Sequence, residues 1–167
     1  MIAQGRHNFL TGADLCPVPL PFRMTVQPIS GPPAFQFSYE FVVPEAAIDA
    51  LGHANNVEYV RWVQNVAGAH WQAICPPDKQ DVYIWVVREH RVRYHRPAFA
   101  GETLRATTWV GETSGATSVR HTRLTRATDD VLLCEAETTW ALLDPKSGRP
   151  VRVEAEILRW LKLSISL

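Results

Sequence analysis

The run DALGHANNVEYVRWVQNVAGAHWQAI, residues 49–74, contains the clearest helix of the chain. From Val60 onward its apolar residues recur every three or four positions, which is the spacing of one face of an α-helix. Either Asn55 or Asn56 is a suitable N-cap, because the side-chain oxygen of asparagine accepts a backbone N–H of the first turn. Two consecutive prolines follow and stop the pattern. The run therefore predicts a helix from Asn55 or Asn56 to about Ile74.

Strand patterns surround this helix. Before it, Phe35–Val43 alternates aromatic and polar residues, which is typical of a half-buried strand, and Pro44–Ala54 is predicted to be an irregular loop. After it, turn signals such as Gly111–Gly115 separate segments rich in valine, threonine and aromatic residues. These predicted strands are Tyr83–Arg96, Glu102–Val110, Thr117–Arg126 and Val131–Leu143. The segment Glu154–Leu161 is predicted to form a short last helix.

The order of elements predicts the fold class. Short connections make neighbouring strands antiparallel. One long apolar helix and one sheet must bury their apolar faces against each other. The sequence therefore predicts an α+β fold, with a five-stranded antiparallel sheet around a central helix.

Composition excludes several classes of protein. The 167 residues suffice for one domain with a sizeable core, and lysine plus arginine equals aspartate plus glutamate at 17 each. A nucleic-acid-binding protein normally has a basic excess, so that function is not expected. Cys16, Cys75 and Cys134 are isolated, which argues against a disulfide framework or a zinc site. Without a membrane-spanning apolar run or a signal peptide, the cytoplasm is the expected compartment.

The first 34 residues differ from the rest of the chain. They hold six of the twelve prolines and have no periodic apolar pattern. Because proline fixes the backbone and removes a donor, residues 1–34 are predicted to form an extended arm or a disordered tail. Met24 could also be the true start. A single domain is predicted over residues 35–167.

The stretch from Asp49 to Tyr59 resembles the signature of a known family. It reads Asp-Ala-Leu-Gly-His-Ala-Asn-Asn-Val-Glu-Tyr, and the 4-hydroxybenzoyl-CoA thioesterase-like family of hot-dog-fold acyl-CoA thioesterases shows Asp-x-x-Gly-His-Val-Asn-Asn-x-x-Tyr. Only the valine differs, being Ala54 here; Ala47 stands where many members carry a further acid. Shorter similarities follow in the family's order. They are Tyr-x-x-Pro-Ala at residues 94–98, Gly-Glu-Thr-Leu at residues 101–104 and the hairpin at residues 144–150.

This resemblance, over residues 35–161, implies a structure and an activity. The structure is a hot-dog fold, in which the sheet wraps around the helix. The activity is hydrolysis of an acyl-CoA to a carboxylic acid and CoA, with no cofactor or metal. The family's active site lies between two subunits, so a homodimer or a dimer of dimers is expected.

The residues themselves suit that chemistry. Thioester hydrolysis needs an activated water or a carboxylate nucleophile, and donors for the oxyanion. Asp49 is the candidate base or nucleophile, and its sequence position does not decide between the two roles. Gly52 lets the backbone turn sharply, and the N–H groups from Gly52 to Asn56 lie at a helix start, where unpaired donors and the helix dipole favour negative charge.

Other candidate site residues have competing structural interpretations. His53 could orient the carbonyl or the loop, or make only a structural hydrogen bond. Asn55 and Asn56 could help to form the oxyanion hole, although capping explains at least one of them. Tyr59 could line the acyl pocket or pack in the core, and the core is favoured.

Arginines form two clusters that suit the phosphates of CoA, because guanidinium groups bind phosphate well. One cluster follows the helix and includes Arg91, Arg93 and Arg96; the other is at residues 120, 123 and 126. Such charges also occur on solvated strand faces. The rival functions are an acyl-carrier-protein thioesterase, which fits the same arginines, and a hot-dog module that binds an acyl ligand without turnover. A hot-dog dehydratase would need a histidine base at a different spacing.

Overall fold

The computed structural model describes residues 35–161, so the predicted proline-rich extension and residues 162–167 lie outside the described residues. These described residues form five strands and two α-helices. They are β1 (Phe37–Val42), α1 (Asn56–Ile74), β2 (Ile84–Tyr94), β3 (Thr103–Ser114), β4 (Thr117–Arg126), β5 (Leu132–Leu143) and α2 (Ala155–Leu161). The predicted order of helices and strands is confirmed.

The sheet is antiparallel throughout and has the order β1-β3-β4-β5-β2. β1 and β2 are therefore its two edges. The 19-residue helix α1 lies across one face, against β1 and β3. The predicted α+β class, with a five-stranded sheet around one long helix, is confirmed. In the part of the chain that the structure describes, neither helix is long and apolar enough to span a membrane.

β3 is longer than the sequence predicts. The sequence predicts a turn that begins at Gly111, but the strand continues to Ser114 with a register shift between Val110 and Thr113. A Cβ on Gly111 would lie 2.7 Å from the side-chain Nε2 of His121, so the glycine permits close strand contact rather than a turn. The turn itself is made at Gly115, whose φ is +58°.

Two apolar clusters fill the space between α1 and the sheet. One lies toward the start of α1 and includes Tyr59, Trp62 and Leu104. The other lies toward its end and includes Ile74 and Leu142. Burial of these faces supplies the main driving force for packing the helix on the sheet.

A buried polar layer separates the two clusters. His70 on α1 is 3% exposed and Arg120 on β4 is 7% exposed. Nη1 of Arg120 lies 2.7 Å from Nδ1 of His70 and donates to Oγ1 of Thr108 at 3.4 Å. No carboxylate within residues 35–161 lies within 4.0 Å of this guanidinium. The prediction that Arg120 belongs to an accessible phosphate-binding cluster is wrong, since its strand position faces the helix.

Acid should destabilise the protein through His70. Burial, reinforced by the charge of Arg120, lowers the pKa of His70 to about 3, whereas an unfolded histidine titrates near 6.5. Between these values the unfolded state binds a proton that the native state does not, so stability is fully present above pH 6.5 and is lost as the pH falls. At pH 4.5 the expected loss from this group is about 3 kcal/mol.

Urea unfolding of the wild type and of His70→Asn, measured from pH 7 to 4.5, checks this expectation. The asparagine oxygen can replace Nδ1 as the acceptor for Arg120 but does not titrate. The variant should therefore lose clearly less stability over this range. Equal pH slopes for the two proteins would contradict the assignment.

Candidate active site

The loop before α1 is an ordered hairpin rather than the irregular loop that the sequence predicts over Pro44–Ala54. A 3-10 turn at Glu45–Ala47 leads into it. Ile48 and Ala54 then form an antiparallel bridge. This bridge closes a short loop that runs from Asp49 to His53 and leads directly into α1.

Hydrogen bonds within the hairpin fix the backbone around Asp49. Its N–H donates to the carbonyl of His53 at 3.0 Å, and its carbonyl accepts from the N–H of Gly52 at 3.0 Å. Gly52 has a φ of +79°, a left-handed conformation that glycine adopts with little steric cost. The turn that the sequence assigns to Gly52 is therefore present.

The Asp49 side chain is partly buried, and only one of its two carboxylate oxygens is hydrogen-bonded within residues 35–161. Oδ1 accepts from the N–H of Leu51 at 2.8 Å, whereas Oδ2 accepts no hydrogen bond from residues 35–161. The side chain is 24% exposed. Nδ1 of His53 lies 3.9 Å from Oδ1, too far for a hydrogen bond, and 3.4 Å from the carbonyl oxygen of Ala54. One carboxylate oxygen thus remains available to a water or a substrate.

Asn55 is the N-cap of α1. Its Oδ1 accepts from the N–H of Val57 at 3.0 Å, and its own N–H donates to the carbonyl of Ala47. The prediction that capping explains one of the two asparagines is therefore confirmed for Asn55. Asn56 is the first residue of the helix.

Most backbone donors at the helix start are already bonded. The N–H of Gly52 bonds within the hairpin, that of Asn55 bonds Ala47, and that of Ala54 donates to the carbonyl of Ala98 at 2.9 Å. In residues 35–161 the N–H groups of His53 and Asn56 donate no hydrogen bond. Of the predicted oxyanion donors, these two remain available in the structure.

Tyr59 is buried, with 2% of its surface exposed. Its ring contacts Trp62 and Tyr94, at centroid distances of 5.0 and 5.4 Å. Its hydroxyl accepts from the N–H of Ala98 at 2.8 Å, and burial raises its pKa. These contacts support the core role; the acyl-pocket role of Tyr59 stays a prediction.

The predicted CoA-binding arginines do not all lie near Asp49. Arg91 and Arg93 pair with Glu137 and Glu135 across the neighbouring strand, at 3.8 and 3.3 Å, and both are mostly exposed. Side chains alternate along β2, so these arginines lie on the sheet face opposite to α1. Arg96 follows the end of β2 and is exposed. Within one chain, the structure therefore separates Arg91 and Arg93 from the carboxylate.

Apolar side chains around the helix start form a feature that the sequence did not single out. Tyr94, whose hydroxyl donates to the Asn56 carbonyl at 3.2 Å, is 44% exposed. Leu51 is 78% exposed, Val57 63% and Phe99 45%. These side chains lie on the hairpin, in the first turn of α1, at the end of β2 and in the turn that follows it. No group of three or more potential metal ligands is found in residues 35–161.

A family model of the thioesterase-like superfamily matches residues 42–161, which include the hairpin, the helix and the whole sheet after β1. The chain belongs to the thioesterase-like superfamily. Membership in this superfamily places the chain among thioester hydrolases, in agreement with the resemblance at residues 49–59. No curated protein matches the sequence.

Solved structures share the fold of this thioesterase. A mutant 4-hydroxybenzoyl-CoA thioesterase in complex with 4-hydroxybenzoyl-CoA superimposes with a TM-score of 0.70 at 14% identity, covering 77% of this chain and 99% of that chain. A 1,4-dihydroxy-2-naphthoyl-CoA thioesterase from Synechocystis gives 0.68 at 14% identity, covering 75% and 95%. A probable thioesterase from Escherichia coli gives 0.66 at 19% identity, covering 75% and 96%. The hot-dog architecture is thus confirmed.

Proposed function

We propose that this thioesterase hydrolyses an acyl-CoA to a carboxylic acid and CoA, using Asp49. The observation that carries the proposal is the carboxylate of Asp49, which keeps one unbonded oxygen beside the start of α1 in a thioesterase fold. Two of the similar structures are named as thioesterases of aromatic acyl-CoAs, which supports CoA as the carrier.

Two routes are compatible with this arrangement. As a general base, Asp49 takes a proton from the water that attacks the thioester carbonyl. As a nucleophile, its oxygen attacks the carbonyl, and water then hydrolyses the resulting anhydride. In both routes the carbon–sulfur bond breaks, the thiol of CoA leaves and a carboxylic acid is formed.

The oxyanion of either route needs donors aimed at it. We assign this role to the N–H groups of His53 and Asn56, because the other three N–H groups from Gly52 to Asn56 already bond within the protein. The positive end of the α1 dipole adds to their effect. Gly52 and Asn55 act by shaping the loop and capping the helix.

The active site is proposed to be completed by a second copy of the chain. β2 is an edge strand of 11 residues, and an exposed edge offers unpaired backbone groups to another strand. The apolar side chains of Leu51, in the hairpin, and Val57, in the first turn of α1, are exposed. Edge pairing leaves Arg91 and Arg93 on the sheet face opposite to α1, so these two arginines would reach CoA only in a dimer of dimers. Sedimentation should show two or four chains, and a purely monomeric protein would contradict this model.

Rates on two carriers test the proposed substrate. The same acyl group is offered as an acyl-CoA and as a thioester of acyl-carrier protein, and the released thiol is followed colorimetrically. We expect kcat/KM to be at least about tenfold higher for the CoA thioester. Preference for the carrier protein would favour the alternative thioesterase. Tight acyl binding without thiol release from either substrate would favour a binding module.

A further inference from the structure

One turn after β2 holds the start of α1 from two sides. Ala98 is completely buried in this turn. Its carbonyl accepts from the N–H of Ala54, the last residue of the Asp49 hairpin, at 2.9 Å. Its N–H donates to the hydroxyl of Tyr59, one helical turn further on, at 2.8 Å. A shift of Ala98 would therefore move both the hairpin and the first turn of the helix.

The carboxylate of Glu102 fixes this turn. Its Oε2 accepts from the N–H of Phe99 at 3.0 Å, and its Oε1 accepts from Nε of Arg126 at 2.9 Å. Arg126 is held in turn by Asp129 at 3.0 Å. The side chains of Glu102 and Arg126 are 23% and 21% exposed, so solvent competes only partly for this pair.

We propose that Glu102 is a positioning residue for the reaction at Asp49, an inference that rests on the proposed function. One oxygen is anchored by Arg126, and the other holds the turn that supports Ala54. A carboxylate is suited to this task because both oxygens accept hydrogen bonds, whereas an amide has only one acceptor oxygen. Small displacements of a reacting group cost large factors in rate, which makes the support of the hairpin important for turnover.

Glu102→Gln tests this role with a matched control. The variant keeps the shape of the side chain but must lose one of its two contacts. Glu40→Gln is the control, because Arg105 bridges Glu40 at 2.9 Å and Asp130 at 2.6 Å in the same manner, away from the turn. Each variant thus leaves its arginine one acidic partner.

We expect Glu102→Gln to lower kcat by about 10–100-fold with KM changed less than about threefold, since a positioning effect is lost mainly in the transition state. In the ¹⁵N-labelled protein, the amide of Ala54 should exchange its hydrogen about tenfold faster, because the turn that protects it opens more often. Glu40→Gln should match the wild type in both measurements.

Equal exchange of Ala54 in the two variants, or an unchanged kcat in Glu102→Gln, would overturn the inference. If the wild type released no thiol from any thioester, the proposed function would fail, while faster exchange of Ala54 in Glu102→Gln alone would still establish the support of the hairpin. Should Glu102→Gln not fold, Arg126→Lys provides the same test. It keeps the charge but lacks Nε, and it should raise Ala54 exchange severalfold.

Discussion

Asp49→Asn should abolish thioester hydrolysis in a protein that remains folded, with kcat falling by about a thousandfold or more. The amide cannot take a proton from water at neutral pH and is a poor nucleophile, so both routes fail. The loop should survive because the asparagine Oδ1 can still accept from the N–H of Leu51, as Oδ1 of Asp49 does at 2.8 Å. Steady-state rates on acyl-CoAs, together with circular dichroism spectra, measure both parts of this expectation.

A carboxylate at the other end of α1 supplies the control. Asp78 lies in the 3-10 turn that follows the helix and is exposed. Asp78→Asn removes the same charge from the protein without touching the hairpin, and it should retain wild-type rates. A wild-type rate in Asp49→Asn would refute the role given to Asp49.

Removing the His70 imidazole alone should clearly lower the free energy of unfolding. Arg120 is buried with no carboxylate of residues 35–161 beside it, and burial lowers its pKa only to about 10, so it is charged at neutral pH. His70→Leu takes away an acceptor that lies 2.7 Å from the guanidinium. Removing this neutral acceptor from a buried guanidinium, which keeps its contact with Thr108, costs about 2–3 kcal/mol. Urea unfolding at pH 7 measures this loss.

Replacing both His70 and Arg120 should lower the free energy of unfolding far less than replacing His70 alone. His70→Leu with Arg120→Met turns the buried pair into apolar side chains, which is often neutral or stabilising. The double variant should therefore lie within about 1 kcal/mol of the wild type, giving a large coupling energy in the double-mutant cycle. Arg123→Met, on the exposed face of the same strand, should cost less than about 1 kcal/mol. A double variant as unstable as His70→Leu would contradict this account.

The helix could be predicted because its signals are local. Asn55 caps α1 through its own side chain, and two prolines stop the helix. Residues close to each end therefore determine where the helix begins and where it stops. The pairing of β1 with β3 and of β2 with β5 joins residues that are 40 or more positions apart in the sequence. A local sequence pattern does not specify which distant strands pair, so only the structure gives the strand order.

The burial of Arg120 could not be predicted from the alternation of side chains along β4. On β4 the residues facing α1 include Ser118, Arg120 and Thr122, and the opposite face includes His121 and Arg123. Both faces are polar, so a period of two does not reveal which one is buried. The same limit applies to Glu102, whose role depends on contacts with Phe99 and Arg126 that only the folded chain brings together.

Product analysis of the wild type and Asp49→Asn tests the central claim most directly. Both proteins are incubated with a panel of aliphatic and aromatic acyl-CoAs, and free CoA and free acid are quantified by mass spectrometry. The wild type should release one CoA and one carboxylic acid for each thioester consumed on at least one substrate, and Asp49→Asn should remain at the uncatalysed rate. Hydrolysis by Asp49→Asn at the wild-type rate, or no hydrolysis of any acyl-CoA by the wild type, would contradict the claim.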